Sequence, residues 1–378
     1  MAKRWQPWVA LAAALVLERA AAPILGIAAT LRRFDPATGV SAWALVDALE
    51  PLGWGMAALL CARTRPRTAF AFGAGATVAG GAALALGAPL LATALGTYAQ
   101  GVCALATWVW IADRLRAERP LRCAAAFFGA GVAIALGRLA GAVGAEAVMT
   151  AAESPLAGGG VAALALAAAG CALLDRGPAR EVAPAGRAHV VGRGAVAALA
   201  LLASAAVTVL AGLSLLHARG IAAEGAMVWA VTSTLTTLLG APVLLALERA
   251  RPASSALRLG AGLVLASILG VVPLALAAPS AVQLVLGAAE GVGRTAAGLV
   301  LYAWVVHDAT PRRAALGLLV VMLAHRGLVA LGRDAAPLAD HGAVVVALAA
   351  TVALTLAFAA RAIERRLEPA PPEAPRVF

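Results

Sequence analysis

The chain has 378 residues, 62% of them hydrophobic and 13% charged, with a formal net charge of +11. A soluble domain is about half apolar and about a quarter charged. The composition therefore argues against a soluble enzyme, a disordered chain and a nucleic-acid-binding protein. Arginine supplies nearly all the positive charge, Lys3 being the one lysine. The cysteines Cys61, Cys103, Cys123 and Cys171 form no CxxC or CxxH pair and lie within or at the ends of apolar runs. They are expected to be small buried hydrophobes, so no disulfide framework or metal site is expected.

A bilayer core needs about 20 apolar residues per helix. In chain order the runs are 6–30, 41–62, 68–86, 88–112, 123–145, 155–175, 194–216, 225–247, 257–278, 280–306, 314–332 and 341–361. The first follows a basic N-terminus, as a signal peptide would. It is longer than a signal's apolar region and is broken by Glu18 and Arg19, which predicts a retained first membrane helix. The third and fourth runs are separated only by Gly87, Ala88 and Pro89.

Positive charge in short loops stays in the cytoplasm. With the N-terminus inside, 22 of the 30 basic residues fall in predicted cytoplasmic segments, 4 in outer loops and 4 within helices. That asymmetry predicts twelve spans with both termini cytoplasmic, and it explains the net charge without any polyanion. The polar stretch 176–193 sits near the midpoint, with six spans on either side. The halves echo each other: RTRPR at 63–67 against ERARP at 248–252, and WVWIAD at 108–113 against WVVHD at 304–308. The expected fold class is all-α and polytopic: an N-terminal six-helix bundle over 1–175, a cytoplasmic linker over 176–193 and a C-terminal six-helix bundle over 194–361. A disordered tail is expected over 362–378. Duplicated six-helix units are the architecture of transporters built from parallel repeats.

This arrangement resembles the major facilitator superfamily. Several stretches are similar to its proton-coupled oligopeptide transporter branch, which carries Glu-x-x-Glu-Arg in the first helix. Here the stretch is Leu15-Val16-Leu17-Glu18-Arg19, matching the second Glu and the Arg. RCAAAFFGAGVAIALGRLAG at 122–141 is similar to the start of helix five, and Glu290 falls where the branch places an acid on helix ten. The resemblance implies alternating access between two bundles, coupled to protons, with a peptide-like solute among the candidates. Leu15 stands in place of the first Glu, and the helix-four Lys of the branch has no counterpart.

An ionisable group at bilayer depth costs at least about 2.5–3.5 kcal/mol, so such groups persist when paired or functional. The proton-coupling candidates are Glu18, Asp47, Glu50 and Glu290. Their charge partners, or ligands for an anionic solute group, are Arg19, Arg138, Arg294 and Arg326, with His325 as a further titratable group. Asp47 and Glu50 are three apart on one helix face, where two close carboxylates disfavour double ionisation and one holds a proton. The blander alternatives are that Asp47 sits in the outer headgroup layer, that Arg138 snorkels outward, and that Glu290 and Arg294, four apart, simply neutralise each other. Glu18 and Arg19 leave their helix about 100° apart. Arg19 is therefore expected to reach a carboxylate on a neighbouring helix, Glu50 or Glu290, and Glu18 to meet another group such as Arg138. Pro51 suggests a bend in the second span.

Tyr98 and Gln100 lie mid-span in the fourth run and could line a path. The hydroxyls of Thr232, Ser233, Thr234, Thr236 and Thr237 are more simply explained by bonding back to their own helix. Trp108, Trp110, Tyr302 and Trp304 sit at cytoplasmic ends and are expected in an aromatic belt. No phosphate loop, HExxH or serviceable GxSxG is found, and GAGAT at 73–77 has no βαβ context. The sequence thus predicts no enzyme, no cofactor and no metal. It predicts a secondary transporter of a small polar or amphipathic solute, expected as a monomer in a bacterial inner (cytoplasmic) membrane. Its partners would be the solute, protons and the lipid bilayer, with no nucleic acid. The rivals are a proton-antiport exporter, and a transport-dead scaffold or sensor whose interior charges all pair.

Overall fold

A computed structural model describes residues 2–31, 39–114, 155–175 and 310–334, together with helical residues 129–130, 132–134, 136–137 and 140–141. Six helices are defined: α1 (Ala2–Leu31), α2 (Gly39–Arg63), α3 (Pro66–Ala85), α4 (Pro89–Arg114), α5 (Pro155–Leu174) and α6 (Pro311–Asp334). They coincide with the first four, the sixth and the eleventh predicted spans to within a few residues. The helical residues between 129 and 141 fall in the fifth. The remaining spans, the linker 176–193 and the tail lie outside the described residues.

Local chemistry sets the ends. Four of these helices open on proline: Pro66, Pro89, Pro155 and Pro311. Its fixed φ suits a first helical position, where the missing N–H costs nothing. Before α3 the cap residue Arg65 is extended, with φ −73° and ψ 143°. The α3–α4 turn needs Gly87, whose φ is +76°. The Ala88 amide then donates to the Ala83 carbonyl at 2.8 Å, and Pro89 starts α4. A three-residue break therefore suffices to reverse the chain. Inside α2, Pro51 is carried within a helix assigned continuously from Gly39 to Arg63.

One compact unit comprises residues 1–118, 126–191 and 305–320, and so holds α1 to α5 and the first turns of α6. A second comprises 119–125, 192–304 and 321–378; of it, the described part is the remainder of α6. Within the first unit α3 packs on α4 and on α5, α2 packs on α4, and α1 packs on α5 and α4. Among the described residues α3, α4 and α5 are long and apolar enough to cross a membrane.

Apolar side chains gain little from leaving lipid, so membrane helices associate by close backbone approach at small residues. A side chain at Gly101 would strike the Glu50 carbonyl, and one at Gly53 would strike Tyr98 and meet the Val102 amide at 3.0 Å. These two glycines let α2 and α4 touch backbone to backbone. Gly81 and Gly158 do the same for α3 and α5: a Cβ at Gly81 would lie 2.7 Å from the Gly158 carbonyl. Gly137 and Gly141, four apart, face Val16, Arg19 and Ala20 of α1. Toward the predicted outer side, Ala21, Leu25, Ala83, Ala92 and Val161 form a buried cluster that joins α1, α3, α4 and α5.

Candidate functional site

Glu18 lies near the middle of α1 and is wholly buried. Its neighbour Arg19 is 5% exposed. Their side chains diverge at the root, as expected: a Cβ at Gly137 would lie 2.8 Å from the Arg19 Cβ, whereas Glu18 points toward α4. There the Cys103 thiol lies beside the Glu18 carboxylate. The tips nevertheless meet, with Arg19 Nε 3.0 Å from Glu18 Oε2. The expectation that Arg19 would reach a carboxylate on another helix thus gives way to a pair within α1. The flexible stem of Arg19 folds back across the angle that separates the two Cβ atoms.

Cys103 is itself wholly buried. Its thiol donates to the Phe70 carbonyl of α3 at 3.7 Å. A Cβ at Gly73 would lie 2.6 Å from its sulfur, so α3 can close on Cys103 only because residue 73 has no side chain. Glu50 lies at the same mid-helix level and is half-buried, its carbonyl against Gly101. Tyr98 and Gln100, one turn or less from Gly101, are also half-buried. The described residues thus bring Glu18, Arg19 and Cys103 together at mid-helix, while Glu50, Tyr98 and Gln100 lie along the α2–α4 contact.

Asp47 lies on α2 and His325 on α6, with side chains outside the described residues. Arg326 is half-buried on α6. Arg138, Glu290 and Arg294 lie outside the described residues, as do the helix-eight hydroxyls, Tyr302 and Trp304. Among the described residues no cluster of His, Cys, Asp and Glu could hold a metal ion. Cys61 and Cys103 are buried free thiols and Cys171 is half-buried.

A second constellation closes the end of the unit where α4 and α5 finish. Asp175, the residue after α5, is 3% exposed. It accepts a hydrogen bond from Trp110 Nε1 at 2.8 Å and another from the Arg114 guanidinium. Phe70 packs against the Trp110 ring at a centroid separation of 5.8 Å. Trp110 is therefore no belt residue. It is 2% exposed, and its indole N–H serves a buried carboxylate. Sequence reasoning passed over Asp175 because it stood at the edge of an apolar run, next to Arg176. The available signal was an acid at a boundary otherwise marked by arginine.

No protein-family model matches the chain, and no curated protein matches it. Solved structures do. A crystal structure of the E. coli fucose:proton symporter superposes with TM-score 0.68 at 13% identity, covering 93% of this chain and 97% of that one. A bacterial homologue of the iron transporter ferroportin, in an outward-facing state, gives TM-score 0.69 at 12% identity, covering 94% and 98%. The human organic anion transporter MFSD10 (TETRAN) gives TM-score 0.67 at 16% identity, with coverage again of 94% and 98%. Similarity at this identity speaks for the backbone alone, and it extends over nearly the full length of both chains in each pair. The chain has the twelve-helix, all-α fold of the major facilitator transporters.

Proposed function

We propose that the protein is a secondary active transporter that moves a small polar or amphipathic solute by alternating access, coupled to protons. In this reading two six-helix bundles, 1–175 and 194–361, rock about a site between them. The linker 176–193 and both termini face the cytoplasm of a bacterial inner membrane, and the chain works as a monomer. Glu18, Asp47, Glu50 and Glu290 are the candidate proton carriers. Arg19, Arg138, Arg294, Arg326 and His325 steady them or bind an anionic solute group, and Tyr98 and Gln100 line the path.

The observation that carries the reading is the Glu18–Arg19 pair: two ionisable side chains at mid-helix, 0% and 6% exposed, in a fold shared with solute transporters. A structural pair could be replaced by apolar residues at no loss. Its retention at bilayer depth favours a working role. The pair also meets one condition of the scaffold reading, in which interior charges neutralise each other. The two readings part on activity.

The test is solute movement in proteoliposomes under an imposed pH gradient, screened from di- and tripeptides outward. Under the transport reading an inward-acid gradient drives accumulation. Glu18→Gln abolishes that accumulation and leaves solute exchange intact. Accumulation that survives in well-inserted Glu18→Gln removes Glu18 from coupling and leaves Glu290 as the principal carrier. Solute flux driven the opposite way identifies an exporter.

A further inference from the structure

Cys103, Thr107, Trp110 and Arg114 recur at four-, three- and four-residue steps along α4. They therefore share one face, within about 60° of the circumference, and descend about 16 Å along the axis. The face starts at Glu18, through Cys103, and ends at Asp175, through Trp110 and Arg114. Its upper three residues are buried: Cys103 0%, Thr107 1% and Trp110 2% exposed.

Thr107 is the unexplained member. A buried threonine in a membrane helix normally satisfies its hydroxyl on the carbonyl four residues back. Thr77 does so to Gly73 at 3.4 Å and Thr93 to Pro89 at 2.9 Å. Thr107 Oγ1 is buried and has no hydrogen-bond partner among the described residues. By its spacing Thr107 stands on the face of α4 between Cys103, which adjoins Glu18, and Trp110, which holds Asp175. A buried, unsatisfied hydroxyl of this kind calls for a polar occupant, and an internal water is the smallest that serves.

We propose that this face of α4 is a proton route of the N-terminal bundle, with Thr107 holding the internal water that connects Glu18 to the cytoplasmic end at Asp175. The inference rests on the reading of Glu18 as a proton carrier. A proton leaving the Glu18 carboxyl passes to the water on Thr107 Oγ1, leaving a carboxylate. The protonated water hands its extra proton to the Asp175 carboxylate, which releases it to solvent at the end of α5, and reloading runs in reverse. Trp110 carries no proton, because its indole nitrogen is a donor only; it fixes Asp175 beside the exit. Phe70 and Gly73 of α3 cover the face and keep bulk water out. Among the described residues, the titratable groups beside Glu18 are Arg19 on α1 and Cys103 on α4, and Glu50 of α2 lies against α4 at Gly101. From α3 and α5 none comes at this depth, since Arg67 and Cys171 both lie toward the cytoplasmic ends.

The test is infrared spectroscopy on the full chain in lipid, transferred from H2O to D2O, and it needs no solute. The protonated-carboxyl band that disappears in Glu18→Gln reports Glu18. Its exchange with deuterium is expected within the mixing time in the wild type and in Thr107→Ser, which keeps the hydroxyl. In Thr107→Val, equal in shape and without the hydroxyl, exchange should slow at least tenfold. Exchange in Thr107→Val as fast as in the wild type overturns the route and leaves the carrier role of Glu18 standing. A Glu18 that shows no protonated band between pH 5 and pH 9 overturns both. Thermal stability supplies a second readout. A dry Thr107 is relieved by valine, so a raised Tm in Thr107→Val refutes the internal water, whereas an unchanged or lowered Tm supports it.

Discussion

The Asp175 constellation gives the sharpest energetic expectation. Asp175→Ala deletes the acceptor of Trp110 Nε1, a bond of 2.8 Å inside the bundle, and strands a ring that is 2% exposed. A buried donor left without a partner costs about 1–3 kcal/mol. Arg114 loses its charged partner too, but its side chain is 17% exposed and can turn to water, so its share is small. The expected loss is about 2–4 kcal/mol. For a unit of this size each kcal/mol moves Tm by about 2–4 °C, so Tm should fall by about 4–16 °C. Asp175→Asn keeps an oxygen for the indole and gives up only the charge. It should lose about half as much or less. Arg114→Ala should cost at least as much as Trp110→Phe, because it leaves a carboxylate that is 3% exposed without its cation, and the remaining indole bond does not neutralise the charge. The assay is thermal unfolding of purified protein in one detergent, followed by intrinsic fluorescence, with the Asp175→Ala/Trp110→Phe double variant completing a cycle. Additive single effects would show that the two residues do not cooperate. Asp175→Ala within 1 °C of the wild type would refute the burial argument altogether.

Other expectations concern packing and topology. Gly101→Ala places a methyl group into the Glu50 carbonyl and should destabilise by about 1–3 kcal/mol through overpacking. Gly55→Ala, with open space at its Cβ, should be neutral or stabilise by up to about 1 kcal/mol through helix propensity. Equal effects at the two positions, measured as Tm, would contradict the backbone contact of α2 and α4. Cysteines introduced at Ala37, Glu153, Ala222 and Ala336 should react with an impermeant thiol reagent from outside, and those at Ala117, Ala183 and Ala253 only after the membrane is opened. The buried native thiols Cys61 and Cys103 should stay silent in both conditions, and a reversed pattern at the introduced sites would overturn the twelve-span topology.

What the sequence disclosed and what it withheld follow from the range of the forces involved. The helices were legible because bilayer thickness fixes the length of their apolar runs; the prolines that open four of them, Pro66, Pro89, Pro155 and Pro311, were a sharper start signal than run length, which began those spans at 68, 88, 155 and 314. Even the three-residue turn at Gly87 was readable, since the glycine and proline could serve no other local end. The candidate charges were legible one by one, because an ionisable group in an apolar run announces itself. Their partners were not. Asp175 meets Trp110 and Arg114 across 65 and 61 positions, and no periodicity along one helix reports which face of another it will touch. The Glu18–Arg19 pair hid for the opposite reason, being too local. Helical geometry separates adjacent Cβ atoms by about 100°, and that angle alone argued against contact. It governs only where side chains start. A glutamate and an arginine are long enough to converge again, and burial drives them to do so, because an unpaired charge is costlier there than a bent rotamer. The same logic separates Thr107 from Thr77 and Thr93. All three are buried hydroxyls on helices, indistinguishable in sequence, and two satisfy themselves on their own backbone. Only the packed structure shows that the third does not, and that it stands on the face joining the two buried acids.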